Sequence, residues 1–381
     1  MGSGIDGKLD RAFQPVADAF MEGFERGRDT GAAVGVVLDG RVLVDVWYGH
    51  ADRQRQRPWQ SDTLVCQFSV TKAMTTLCVL QAVDRGLLKL DEPVVASWPE
   101  FAAHDKHEIT LRHLLCHRAG LIGFHEPMPA ELFEDWQHTT EALAAERPWW
   151  PPGSRHGYHA RTFGFLAGEV FRRRTGRSIG TWFREEIASP SGIDFHIGVP
   201  EHDLVRCADI VPARIRAGEQ PPSSAARLMK AMGDRDSFTW AAFQNPATRP
   251  GRVNSAEHRR SEMPGANGHG TALASAMVLD RFASLVSAEL LAEATTTHSS
   301  GDDPVLVSPT RFGLGLMLHD DACPIGLTTG SYGHAGAGGA VVFHDPEQRL
   351  SLCFAMNQLE PGVITGGSSA SLVTKAVYEC L

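Results

Sequence analysis

The sequence predicts an α+β fold, with one antiparallel sheet assembled from the two ends of the chain, helices flanking it, and a helical lobe inserted between the ends. Three observations predict it. Strand-like runs with a period of two lie near the start, at residues 33–38 and 42–47, and return near the end, at 312–318, 340–343 and 350–356. The first two runs are joined through Asp39-Gly40, a dipeptide suited to a tight hairpin because glycine accepts positive φ. Between the two groups of strands the apolar periodicity is helical or absent. The corresponding division is a sheet domain of residues 1–65 and 276–381 and a helical lobe of residues 66–275 with long cleft loops. The active site is expected between them, where ligand pockets commonly form.

The elements follow in order. Residues 10–26 carry Phe13, Val16, Ala17, Phe20 and Phe24 at helical spacing. After the hairpin, Ser61-Asp62-Thr63 leads to Ala73-Met74-Thr75-Thr76-Leu77-Cys78-Val79-Leu80-Gln81-Ala82-Val83, apolar on most of its circumference, which predicts a buried helix stopping near Gly86. Residues 109–121 read as a short helix with a glycine stop at Gly120. Its His113 and His117 have the spacing of metal-binding histidines. No Glu follows His113 and no third ligand is suggested, so both are read as structural, and His104 and His107 are weaker candidates still. Trp149-Trp150-Pro151-Pro152-Gly153 forms a turn that delivers Tyr158, and a helix follows at 162–174. Residues 211–268 are rich in Pro, Gly, Ser and charge and predict long loops over a cleft, with short helical pieces at best. Helices are expected again at 271–291 and 369–380.

The composition bounds the function. With 381 residues, 43% hydrophobic and 21% charged, the chain has material for a sizeable core. The formal net charge of -9 comes from 45 acidic against 36 basic residues with no basic block, which argues against a nucleic-acid partner. No apolar run approaches membrane-spanning length and the first residues lack the apolar core of a secretion signal, so the chain reads as cytoplasmic and without a membrane partner. Seven scattered cysteines with no Cys-x-x-Cys pair fit reduced thiols.

The chemistry starts at Ser69-Val70-Thr71-Lys72, which places a hydroxyl and an amine one helical turn apart at the head of the buried helix. Lys72 is the only charged residue between Ser69 and Asp84. A buried ammonium is costly, and desolvation lowers a lysine pKa toward working pH. Such an amine can take the proton from a serine hydroxyl that is otherwise a poor nucleophile. Ser-x-x-Lys fixes only two positions, and its context decides its meaning.

That context is a second and a third stretch. Tyr158 follows Pro152-Gly153, and His334-Ala335-Gly336 precedes a strand. The order matches serine β-lactamases, penicillin-binding proteins and their esterase relatives. The chain resembles most closely the family VIII carboxylesterases, which have the class C β-lactamase fold and hydrolyse esters. The resemblance extends to Leu114-Leu115-x-His117-x-Ala119-Gly120-Leu121, to Asn267-Gly268-His269-Gly270-Thr271-Ala272 and to Asp345-Pro346. It implies Ser69 as nucleophile, Lys72 as its helical partner, Tyr158 as second base or proton shuttle, and the backbone N–H groups of Ser69 and Ala337 as oxyanion hole. Lys72 and Tyr158 then titrate as a pair. It implies no metal and no organic cofactor. His334, Gly336 and Trp150 are expected to line the substrate pocket.

Two departures from the β-lactamase pattern bear on the substrate. His334 stands where a lysine usually keeps a positive charge, and Ala160 stands where an asparagine offers an amide. Both remove polar recognition and suit small neutral esters. The expected activity is a serine carboxylesterase on short-chain esters, with a small-molecule ester as partner. Acyl transfer to an alcohol, β-lactamase or D-amino peptidase activity, and a catalytically silent binding protein on the same fold are the alternatives.

Overall fold

The computed structural model describes residues 4–213, 223–247, 251–362 and 366–381. Twelve strands form among them: β1 (Asp6–Leu9), β2 (Gly31–Leu38), β3 (Arg41–Gly49), β4 (Val65–Cys66), β5 (Phe195–His196), β6 (His269–Gly270), β7 (Ser299–Asp303), β8 (Ser308–Phe312), β9 (Met317–Leu318), β10 (Tyr332–Ala335), β11 (Val341–Asp345) and β12 (Leu350–Met356). The α-helices are α1 (Gln14–Glu25), α2 (Thr71–Asp84), α3 (Leu111–Leu115), α4 (Trp136–Ala145), α5 (Phe163–Thr175), α6 (Ile179–Trp182), α7 (Ser189–Ser191), α8 (Ser223–Gly233), α9 (Phe238–Gln244), α10 (Ala256–Arg260), α11 (Ala272–Leu285), α12 (Ala288–Ala294) and α13 (Ser368–Glu379). None of these helices is long and apolar enough to cross a membrane.

Nine strands from the two ends of the chain form one antiparallel sheet in the order β1-β3-β2-β12-β11-β10-β9-β8-β7. Its centre is the pairing of β2 with β12, where Val34 stands opposite Phe354 and Gly35 opposite Cys353. Both strands are apolar along nearly their whole length because both sheet faces are covered. On one face Phe354 meets Phe20 of α1, their rings 6.4 Å apart. On the other, Gly35 lies under α11, and a Cβ there would come 2.5 Å from the Cα of Leu273. The Asp39-Gly40 hairpin forms with φ of 51° and 71°, the double positive-φ turn whose twist matches the strands it joins.

The inserted elements anchor the head of α2. β4, which leads into it, pairs with β6, and β6 pairs with β5 in a separate three-stranded sheet. Every residue of α2 from Thr71 to Ala82 is buried, as its all-round apolar sequence predicts. Helix α11 lies across the expected division at residues 275/276 and packs on the large sheet.

Some elements differ from expectation. Residues 312–318 are not one strand: Phe312 pairs with Met317, and the chain reverses through Gly313, Leu314 and Gly315, where Gly315 has φ of 68° and its carbonyl accepts a 3.1 Å bond from Thr76 of α2. The helix expected over 271–291 breaks at Val286, because Asp84 at the end of α2 holds both the N–H and the hydroxyl of Ser287 at 2.6 Å and makes that serine the cap of α12. The helix expected within 109–121 contracts to α3, since His117 takes a left-handed φ of 59°. In the stretch expected to be mostly loop, α8 is an 11-residue helix; residues 214–222 and 248–250 of that stretch lie outside the described residues.

The contact at Gly35 yields a stability prediction. Gly35→Ala is expected to lose about 1–3 kcal/mol in urea unfolding, because neither sheet nor helix backbone can yield cheaply. Gly233→Ala, at a helix end with open space around it, is expected to be neutral or stabilising. Equal stability of the two variants would contradict the packing described.

Candidate active site

Ser69 sits in a single 3₁₀ turn, Phe68–Val70, that runs into α2. Phe68 adopts a left-handed φ of 48°, a conformation costly for a residue with a side chain, and the surroundings hold it there. The Thr71 hydroxyl donates to the Phe68 carbonyl at 2.5 Å and accepts from the Gly268 N–H at 2.8 Å. Gln67, fully buried, receives the Ser275 hydroxyl at 2.8 Å and donates to the Gly270 carbonyl at 3.1 Å. The turn is thereby tied to β6 and α11.

Lys72 is fully buried. Its Nζ has three polar neighbours: the carbonyl of Ala160 at 2.8 Å, the carbonyl of Gly265 at 2.7 Å and Ser69 Oγ at 3.0 Å. It forms no ion pair among the described residues, and burial pulls its pKa well below the ordinary lysine value. The geometry suits the neutral amine. Two N–H groups meet the two carbonyls, which can only accept, and the lone pair is left for the Ser69 O–H. An amine so arranged can receive the serine proton.

Tyr158 comes from the loop that follows the Pro-Gly turn. The loop is zipped to residues 116–121: the Gly157 N–H donates to the His117 carbonyl at 3.0 Å, the Leu121 N–H to His159 Nε2 at 3.1 Å, and the Thr162 hydroxyl to the Leu121 carbonyl at 2.6 Å. The N–H of Tyr158 itself donates at 3.0 Å to Asp303, a buried carboxylate that also accepts from Val305 and Leu306. The phenol lies 1% exposed, with Lys72 Nζ 4.8 Å from its ring centroid; the Ser69 hydroxyl is near its Oη, but no well-formed hydrogen bond reaches that atom among the described residues. Burial pushes its pKa well up, the nearby Ser69 hydroxyl opposes this in part, and the Asp303 charge adds to it. Burial therefore drives both members of the pair toward neutrality, amine and phenol, rather than toward ammonium and phenolate.

A cleft of about 440 Å³ opens beside the nucleophile, lined by Ser69 and Ala337 and walled by Phe68, Phe133, Met232, Phe243, Met263 and Leu359. Ala337 follows β10, whose end passes the nucleophile closely: a Cβ on Gly336 would come 2.3 Å from the Gln67 carbonyl oxygen, so only glycine fits.

The three residues expected to line the pocket are not among those that line this cleft. His334 is 1% exposed and lies beside Tyr158 with ring centroids 6.0 Å apart; its Nδ1 is 2.7 Å from the Ala335 carbonyl, and burial pulls its pKa down to about 3. Trp150 turns inward to donate to the Arg155 carbonyl at 3.2 Å and packs under Gly157, supporting the tyrosine loop from behind. Gly336 contributes close backbone approach, while its neighbour Ala337 meets the cleft. Of the histidines considered for metal, His113 helps cap α3 by accepting from the Thr110 N–H at 3.1 Å, and His117 packs its ring 5.0 Å from that of Tyr158. Among the described residues no group of three or more His, Cys, Asp or Glu side chains is placed to hold a metal ion.

Sequence reading missed Gln67, Asp303 and Arg161. Gln67 stands two positions before the nucleophile and is the only polar side chain between Thr63 and Ser69, a usable signal. Asp303 looks like one of several turn-forming residues in Ser299-Ser300-Gly301-Asp302-Asp303-Pro304, and nothing local marks it as buried.

Two predictions follow from the buried pair. Between the depressed pKa of folded Lys72 and the value of 10.5 for a free lysine, the unfolded chain binds the additional proton, so stability rises with pH across that window. Relative to Lys72→Met, the wild type is expected to gain up to about 1.4 kcal/mol per pH unit as the pH rises toward 10.5 in urea unfolding, and a constant difference would contradict a depressed pKa. Tyr158→Phe, which removes a buried hydroxyl that makes no well-formed hydrogen bond among the described residues, is expected to unfold at the same or a higher temperature than wild type; a clear loss of stability would mean that the hydroxyl is firmly bonded in the folded protein, with Ser69 as the nearby partner.

The Beta-lactamase family profile matches residues 12–366. The "Esterase/beta-lactamase LipL" of Mycobacterium tuberculosis (strain ATCC 25618 / H37Rv) is 33% identical over 376 residues, covering 96% of this chain and 86% of that protein. Among solved structures, a novel penicillin-binding protein homolog from Caulobacter crescentus is 35% identical with a TM-score of 0.89, and a family VIII carboxylesterase is 34% identical with a TM-score of 0.89, each covering 100% of both chains. With this fold around a Ser-x-x-Lys turn and these relatives over nearly its whole length, the chain belongs to the beta-lactamase family, as a serine hydrolase of the carboxylesterase type.

Proposed function

We propose that the protein hydrolyses short-chain carboxylic esters through an acyl enzyme on Ser69. The observation that carries this reading is the set of partners of Lys72: two carbonyls and the Ser69 hydroxyl around one fully buried amine, with no carboxylate paired to it among the described residues. Ser69 Oγ attacks the ester carbonyl carbon while Lys72 takes its proton. The backbone N–H groups of Ser69 and Ala337 stabilise the oxyanion, and each such donor is worth about 3 kcal/mol in the transition state. The proton then passes by way of the Tyr158 hydroxyl to the departing alkoxide. Water repeats the sequence on the acyl enzyme, giving up its proton to the same pair and releasing the acid. The apolar walls of the cleft favour a short acyl chain over a peptide.

The test is cleavage of p-nitrophenyl butyrate and nitrocefin, side by side, by wild type and by Ser69→Ala. Ester cleavage is expected to fall at least about 10³-fold in the variant, with nitrocefin turned over slowly or not at all. Efficient nitrocefin cleavage would instead favour a β-lactamase. Absence of Ser69-dependent cleavage of either, with ester formed only when an alcohol is added, would favour acyl transfer.

A further inference from the structure

We propose that Arg161 makes the cleft a receptor for esters that carry a carboxylate in addition to the ester group; this rests on the esterase reading above and narrows its substrate class. Arg161 directly follows Ala160, whose carbonyl holds Lys72, and it lines the same cleft as Ser69 and Ala337.

The guanidinium has few internal partners. One Nη1–H donates to the Pro246 carbonyl at 2.5 Å, and one face lies 4.1 Å from the ring centroid of Phe133. Arg161 forms no ion pair among the described residues. The carboxylate of Glu134 on the same wall is already engaged, receiving His258 Nδ1 at 2.8 Å and Arg252 Nη2 at 2.5 Å, and although burial works against the charged form these two hold its pKa down to about 2. Glu131 stands at the exposed rim, where solvent screens it. A guanidinium has five N–H donors, and none of the Arg161 nitrogens is among the buried atoms that lack a partner, so the unused donors open on the cleft. Burial lowers its pKa to about 10, with the Glu134 charge opposing this in part, which leaves it charged at neutral pH.

A largely buried cation with no carboxylate in direct contact is destabilising, even with the Glu134 charge nearby to offset part of the cost. An arginine needed only to pin Pro246 would gain from a paired carboxylate, and its surroundings withhold one. The planar fork of unused donors matches a carboxylate and would bind it in the low-dielectric setting of an apolar wall, where the interaction is strongest. An acid-bearing ester would complete the site, placing its carbonyl over Ser69 and its carboxylate against Arg161.

The experiment compares kcat/KM for acid and neutral partners within each protein. On the acyl side the pair is p-nitrophenyl hydrogen glutarate and its methyl ester; on the alcohol side it is O-butyryl glycolate and its methyl ester. In wild type the acid is expected to be preferred about tenfold or more in one arm, mainly through KM, and that arm identifies which side of the ester carries the carboxylate. The preference should disappear in Arg161→Gln and persist in part in Arg161→Lys. Glutarate should also inhibit the wild type competitively, more weakly as salt is raised, whether or not the glutamine variant folds. No acid preference in either arm, or a preference unmoved in Arg161→Gln, overturns the proposal while Ser69-dependent cleavage of the neutral esters leaves the esterase reading standing. Loss of Ser69-dependent cleavage of every ester overturns both.

Discussion

An amine taken wholly out of water, with no carboxylate set against it, is the constraint on which the rest of this structure depends. Charged, Lys72 would cost more than its hydrogen bonds return; neutral, it needs two acceptors for its hydrogens and a donor for its lone pair. The protein supplies that set from three separate places: Ala160 after the tyrosine loop, Gly265 before β6, and Ser69 one turn away on the same helix. Lys106 shows the alternative use of the same side chain. It too is fully buried, but it meets three carbonyls at the end of α4, the Leu143, Ala144 and Glu146 oxygens, which satisfy an ammonium as a helix cap, and its pKa falls only to about 8. Three carbonyls, which only accept, fit a structural cation; exchanging one of them for a hydroxyl, which can also donate, lets the amine serve as a base once burial has removed its charge.

Holding those partners in place explains several features that have no chemistry of their own. The loop that presents Gly265 is braced by Asn267, whose amide donates to the Ser261 carbonyl at 2.6 Å and accepts from the Met263 N–H at 3.0 Å. The loop that presents Tyr158 and Ala160 is fixed on one side by residues 116–121 and on the other by Asp303 at the end of β7. Because β7 is an edge strand of the large sheet and Asn267 precedes the helix packed on its face, the sheet positions the base from both sides of the cleft. Burial of the histidines around the site acts in the same direction: His159 is pulled down to about 4 and His334 to about 3, so neither adds positive charge near the amine at neutral pH.

The sequence made legible what local chemistry and periodicity determine. An apolar circumference interrupted by one lysine marked α2 and its base, Asp39-Gly40 marked the hairpin, and the order of Ser69, Lys72, Tyr158 and His334 marked the fold. It was less informative where tertiary packing decides a side chain's direction. Trp150 and His334 are near Tyr158 in the chain or the motif, yet both point into the interior because Gly157 and the ring of Tyr158 offer them packing there. The run from Phe312 to Leu318 has strand composition, but the close approach of Gly315 to Thr76 requires a reversal. Arg161 is one arginine among many near α5, and its lack of a direct ion pair among the described residues becomes visible only when Glu134 is seen to be bound by Arg252 and His258.

The protonation state of Lys72 is open to direct observation. The chain has only six lysines, so a titration of lysine side-chain amines by NMR, with Lys72→Met to assign the signal, resolves each of them. A Lys72 amine that titrates well below 10.5, and below the buried Lys106, would establish an uncharged base facing Ser69. An amine that remains an ammonium through pH 10 would contradict the account and leave the serine without the base described here.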